Sequence, residues 1–289
     1  MLDIREMPVL YINLQVQFER SRFMESMLKN SGFKNYRRFN AIRTPDNGYD
    51  GSCLSHLKAA WELFISNTAE YVIVMEDDIV ITDLNTINEA VNKTIAEKGQ
   101  FDEFLITHPD GKNTIARPPL HTTDLLHFVI YRRIRIPYII QRGILTYLRE
   151  GVLDRCYPSD TDFVAFHSSS CTQLYNYYLS HDKSAIMHVI IADRDTFNEK
   201  TWRQLILEFA SKHPGLYGRY AGFRFYYIKN QHVYELSPFN SDMETAIEYS
   251  DDHDKLLSNT LNYLTSQGCH RFIVWNEYFE QGKEIAVKI

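Results

Sequence analysis

Tyr71-Val72-Ile73-Val74-Met75-Glu76-Asp77-Asp78 is the stretch on which the fold turns. Five consecutive apolar residues, three of them β-branched, show no alternation. That pattern is a strand buried on both faces, as in a parallel sheet covered by helices. Three carboxylates follow at once, so the strand leaves the core with acids at its carboxyl end, where open α/β sheets bind ligands.

The neighbouring segments agree with this reading. Val9 to Leu14 has strand length and β-branched character, and Phe18, Phe23, Met24, Met27 and Leu28 then recur at helical spacing until Gly32 stops them. Tyr36 to Ile42 reads as a second strand, and Thr44-Pro45-Asp46-Asn47-Gly48 is turn chemistry. Ser52 is placed as a helix N-cap before an apolar stripe of Leu54, Leu57, Trp61 and Phe64. A helix over 84–97 and a strand over 101–107 complete the alternation. It predicts an α/β fold with a mostly parallel sheet flanked by helices.

Beyond this the pattern changes. Residues 108–123 read as a loop, and 125–153 are apolar but studded with Arg132, Arg133, Arg135, Arg142 and Arg149. That stretch is expected to be an insertion packed on the sheet, with a mobile acceptor loop and a membrane-surface patch as the other readings. Strands are expected at 162–167 and 171–179, helices at 183–191 and 199–212, and a hairpin at 223–228 and 232–236. The expected organisation is one domain over 1–240, divided at 107/108, and a C-terminal extension over 241–289.

Composition bounds the function. The 289 residues are 44% hydrophobic and 24% charged, which excludes disordered, collagen-like and disulfide-scaffold classes. Thirty-one basic against 37 acidic residues give a net charge of −6, so a general nucleic-acid binder is excluded and at most peripheral membrane contact is expected. The four cysteines form no CxxC pair and read as reduced thiols. With no signal-like N-terminus and no long uncharged apolar run, a soluble, cytoplasmic protein is the expectation.

The acids suggest chemistry. If strand alternation persists, Glu76 and Asp78 share one side and Asp77 faces the other. Two acids at that spacing suit one hard divalent cation, completed by water and phosphate oxygens; a solvated acidic turn is the competing reading. Ser55 and His56 are placed at a helix start, where phosphate is favoured. Asn13 and Arg20 follow the first strand, where nucleotide contacts form. No GxxxxGK[ST], GxGxxG, GxSxG or HExxH motif occurs.

Four blocks in order resemble glycosyltransferase family 25, the lipooligosaccharide and procollagen galactosyltransferase family. They are Ile12-Asn13-Leu14 with Arg20, Arg38-Phe39-Asn40-Ala41, Gly51-Ser52-Cys53-Leu54-Ser55-His56 with Trp61-Glu62, and Glu76-Asp77-Asp78. Ser52 stands at the family's usual cysteine position, and Gln15, Val16 and Gln17 replace the basic residues common after the first block. Cys171 to Ser180 and Pro238 to Asp242 are similar to later family stretches.

The resemblance implies a GT-A, Rossmann-like fold and a metal-dependent, inverting glycosyltransferase that uses Mn2+ or Mg2+. Such an enzyme moves a hexose, galactose or glucose, from a UDP-sugar to a glycan, lipid-linked or protein hydroxyl. Residues 1–107 would bind the nucleotide-sugar and 108–240 the acceptor. Asp78 and Glu76 would hold the metal, and Asn13, Arg20, Ser55, His56, Glu76 and Asp77 would surround the donor. Inversion requires a base; Asp195 and Asp193 are the first candidates and Asp160 and Asp162 the second. The alternatives are a non-catalytic binding protein with this fold and a metal-dependent phosphoesterase.

Overall fold

The computed structural model describes residues 2–43, 48–107, 128–150, 162–181, 185–191, 209, 211–213, 220, 222–229, 232–236, 243–244, 253–267, 271–275 and 283–286. The chain forms two compact units, Met1–Leu174 and Tyr175–Ile289, whereas the sequence places its boundary at 240.

The first unit is built on six strands. They are β1 (Val9–Asn13), β2 (Tyr36–Asn40), β3 (Tyr71–Glu76), β5 (Glu103–Thr107), β6 (Phe128–Arg132) and β7 (Phe163–His167), in the order β2-β1-β3-β6-β5-β7. β6 alone runs against the others. β4 (Ile79–Ile81) pairs antiparallel with β8 (Cys171–Gln173) in a separate ribbon. This is an α/β fold with a mixed, mostly same-direction sheet, and the apolar run at 71–75 is its buried β3.

Two helices explain the strand order. α1 (Phe18–Asn30) links β1 to β2, and α2 (Gly48–Ser66) links β2 to β3 across β1. They cover opposite faces. The Tyr11 hydroxyl meets Ser21 and Glu25 of α1, while Leu10, Ile12, Val72 and Val74 pack under Ala59, Ala60 and Leu63 of α2. Gly32 ends α1 as expected, with φ +85° and the Phe33 N–H on the Leu28 carbonyl. α3 (Leu84–Lys98) is capped by Asp83, and its Asn88 and Asn92 hold the backbone of Ile4 and Leu2.

The stretch expected as an insertion packed on the sheet supplies regular elements at 128–150. The arginine-studded stretch contributes β6 and then α4 (Ile136–Glu150). Arg133 locks the start of α4 to the end of α2. Its guanidinium donates to the Ala69 and Phe64 carbonyls at 3.0 and 3.3 Å and stands over the Phe64 ring. The strand expected over 171–179 stops at Gln173, because Leu174–His181 turn into α5.

The second unit is also α/β. β9 (Ile186–Ile191), read from sequence as helical, is its fully buried central strand. Parallel to it lie β10 (Gly222–Lys229) and β13 (Arg271–Trp275). β11 (His232–Leu236) with β12 (Met243–Glu244), and β14 (Lys283–Ala286), extend the edges by antiparallel pairing. Phe209 packs on one face with Met187, Val189, Phe223 and Phe225, and α6 (His253–Ser266) covers Ile190, Tyr226 and Phe272 on the other. The stretch 241–289 thus supplies a covering helix and three strands of this sheet. No helix among the described residues is long and apolar enough to cross a membrane.

Arg133→Met keeps the side-chain stem but strands two carbonyls at the end of α2. Denaturant unfolding is expected to show a loss of about 1–3 kcal/mol, the usual cost of buried acceptors left unmet.

Candidate active site

The strand order sets where a ligand fits. α1 and α2 leave in opposite directions across β1, and in open α/β sheets such a reversal sets the ligand crevice at the carboxyl ends of the strands, here β1 and β3. β1 ends in Asn13 and β3 in Glu76, and Ile12 is in register with Glu76.

Two polar clusters flank that crevice. On the α1 side, Asn13 Nδ2 donates to Asp77 Oδ2 at 2.6 Å and to the Gln17 carbonyl at 2.9 Å. Arg20 Nη1, from the first turn of α1, pairs with Asp77 Oδ1 at 3.3 Å. Burial pushes the Asp77 carboxyl up to about 6, against the opposing pull of Arg20 and Asn13; the nearby Asp78 and Glu76 carboxylates push the same way as burial. On the α2 side, Ser52 Oγ donates to Glu76 Oε1 at 2.7 Å and His56 Nε2 donates to the same oxygen at 3.1 Å. His56 is almost wholly buried.

The structure thus brings together Asn13, Arg20 and Asp77, and separately His56 and Glu76. It changes three expectations. β3 stops at Glu76 and residues 77–78 form a turn, so alternation does not carry Glu76 and Asp78 to a common side. α2 begins at Gly48, so Ser55 and His56 do not open it, and the hydroxyl of Ser52 binds Glu76 instead of capping the helix. Ser55 is fully buried; its hydroxyl donates to the Gly51 carbonyl and accepts the Ile42 N–H, bracing the chain after β2 against α2.

Asp78 anchors the turn. Its carbonyl accepts the Leu174 N–H at 2.6 Å, joining the β3–β4 turn to the start of α5. Among the described residues no three His, Cys, Asp or Glu side chains gather in a metal-binding group. Glu76 Oε1 already receives two hydrogen bonds, and Asp77 faces Arg20. Asp78, with the second carboxylate oxygen of Glu76, is where a divalent cation could be held, with phosphate oxygens and water supplying the rest, the usual arrangement for Mg2+.

Asp195, Asp193 and Asp160 lie outside the described residues. Asp162 stands at the amino end of β7, the opposite edge of the sheet from Glu76, because β7 runs parallel to β5 and in the direction of β3. Its backbone N–H donates to Asp102, which pairs with Arg135 at 3.0 Å. That edge also holds Glu103, whose carboxyl burial and the neighbouring Asp102 push up to about 8. A strongly shifted acid is therefore present away from the crevice, as part of the framework.

Two residues at the crevice escape sequence reasoning. Ser52 reads as a cap, and only its place in the family's cysteine position hints at another use. Gln17, at the N-terminus of α1, is buried with both side-chain amide atoms lacking a hydrogen-bond partner among the described residues.

No protein-family profile matches the chain, and no curated protein does. Solved structures resemble it distantly. Glucosyl-3-phosphoglycerate synthase from Mycobacterium tuberculosis, in complex with Mn2+, UDP and phosphoglyceric acid, is 10% identical over 57% of this chain and 69% of that one, with a TM-score of 0.32. Mannose-1-phosphate geranyltransferase from Thermus thermophilus is 8% identical over 91% and 100%, at 0.35. A putative glucose-1-phosphate thymidylyltransferase from Bacillus anthracis, in complex with a sucrose, is 12% identical over 55% and 67%, at 0.31. Scores this low leave the architecture resting on the strand order.

Asp77 yields a pH prediction. Its folded pKa of about 6 exceeds the ordinary 3.8. The native state therefore holds the proton more tightly, and this group's contribution to stability falls as pH rises from about 4 to about 6, then levels off. Relative to wild type, Asp77→Asn should gain about 3 kcal/mol across that window, read as the change in their difference in unfolding free energy with pH. A pH-independent difference removes the buried-carboxylate account.

Proposed function

We propose that this chain is a GT-A-type glycosyltransferase that moves a hexose from a UDP-sugar to a hydroxyl acceptor, related to family 25. The observation that carries the reading is the crevice itself. Asn13, Arg20 and Asp77 form one polar cluster, and Glu76, His56 and Ser52 a second, on either side of the place where β1 and β3 end. The four sequence blocks whose resemblance to family 25 prompts the reading contribute residues at or beside these strand ends: the β1 end with Arg20, the strand through Asn40, Ser52 to His56 of α2, and the acids at the end of β3.

The residues divide the work. Arg20, at the first turn of α1, places positive charge and a helix N-terminus beside the crevice, both favourable to a diphosphate. Asp77 and Asn13 hold the guanidinium and the β1 end in place. His56 and Ser52 fix the Glu76 carboxylate against α2 and set where the turn carrying Asp78 begins. A cation held by Asp78 would neutralise charge on the leaving diphosphate. Asp195 and Asp193 keep their assignment as candidate bases on sequence grounds.

Melting the protein with nucleoside diphosphates, with and without Mn2+, tests this. UDP at a hundredfold its dissociation constant should add about 2.7 kcal/mol of stability. Asp78→Asn should stay folded and lose the Mn2+-dependent part, and wild type should slowly hydrolyse a UDP-hexose when no acceptor is present. If neither UDP nor a UDP-hexose shifts the melt under any condition, the reading fails.

A further inference from the structure

Large apolar side chains left in solvent call for a physical account when they gather on one surface. Eight are exposed among the described residues, and six of them are Leu54, Trp61, Ile65, Ile134, Ile144 and Leu145. These six sit on α2, on α4 or in the turn that leads into α4. Ile65 and Ile134 keep 64% and 66% of their surface in solvent. On α2, Leu54, Lys58, Trp61 and Ile65 fall at i, i+4, i+7 and i+11, a single stripe that faces away from the sheet.

The two helices are neighbours. A Cβ on Gly143 of α4 would stand 3.7 Å from the Leu57 side chain of α2. Arg133 closes the other end of the pair through the Phe64 carbonyl.

The same surface is basic. Residues 51–66 and 132–145 carry Lys58, Arg132, Arg133, Arg135 and Arg142 against a single acid, Glu62, in a chain whose net charge is −6. Arg132 is paired with Glu70 at 3.6 Å, Arg133 is committed to α2, and Arg135 to Asp102 and the Tyr138 ring. Lys58 and Arg142 are the exposed cations of this surface, and Glu62 is matched by Arg37.

We propose that the α2–α4 face docks onto an anionic phospholipid surface, with its exposed aliphatic side chains entering the headgroup boundary and Trp61 at headgroup level. An amphipathic face with a basic rim binds such a surface through two weak terms acting together, apolar insertion and attraction to anionic lipid. Tryptophan favours that interface because its ring has an apolar body and a polar N–H. A second copy of the chain fits less well. A two-fold contact sets the same patch against itself and brings two cationic surfaces together. The inference is independent of the nucleotide reading.

The test uses the full chain with vesicles of pure phosphatidylcholine and of phosphatidylcholine mixed with phosphatidylglycerol. Co-sedimentation with the mixed vesicles only, weakening as salt rises, is the expected result. It should be accompanied by a blue shift of tryptophan emission that Trp61→Phe removes, although two other tryptophans remain. Ile65→Glu combined with Ile144→Glu changes two exposed positions, so it should melt like wild type and bind the mixed vesicles at least about tenfold more weakly. Equal binding to both vesicle types, binding to neither, or an unaffected double variant overturns the proposal. So does a wild-type dimer that the double variant dissolves without any vesicle binding, since the face is then a contact between copies.

Discussion

Parallel pairing of β1 with β3 is the constraint from which the site follows. Each strand is apolar on both faces, so each must be covered on both sides, and a right-handed crossover supplies one helix at a time. α1 covers the face carrying Tyr11, and α2 the face carrying Leu10 and Ile12. Because the helices depart on opposite faces, each contributes polar side chains from its own side to the carboxyl ends of β1 and β3, and a gap between the helices falls there. Asn13 and Glu76 reach that gap because each is the last residue of its strand. The short Asn13–Asp77 hydrogen bond then bridges the two strand ends with a buried carboxylate.

Holding Asp77 there is unfavourable in isolation. Burial and the flanking acids raise its pKa, and Arg20 and Asn13 only partly restore the ionised form. Under the proposed function, that cost is stability given up for preorganised charge at the nucleotide site. Glu103 shows why the pKa alone does not identify such a place. Its carboxyl is raised further, yet it stands at the amino edge of the sheet, beside the bracing pair Asp102 and Arg135.

Much of the first unit was legible in the sequence for a physical reason. The run Tyr71–Met75 is too apolar for a half-exposed strand and too short for a helix that would need its own polar face. Gly32 marks the end of α1 because only a glycine takes its positive φ without strain. Other features were hidden by long-range contacts. Ser52 has the chemistry of a cap, but Glu76 from β3 claims its hydroxyl. The run at 183–191 reads as helical, because periodicity does not separate a short buried strand from a buried helix, and its strand character comes from pairing with β10 and β13 far along the chain. The common side expected for Glu76 and Asp78 failed because a strand's alternation ends with the strand, and only the pairing pattern shows where β3 stops.

Hydrogen–deuterium exchange of the full chain with and without UDP and Mn2+ tests the central claim most directly, because it reports where the nucleotide sits. The account predicts added protection at the β1 end through the first turn of α1 and at the β3–β4 turn, with the α3 amides unchanged. Protection confined to the second unit, or none anywhere at saturating nucleotide, would contradict it.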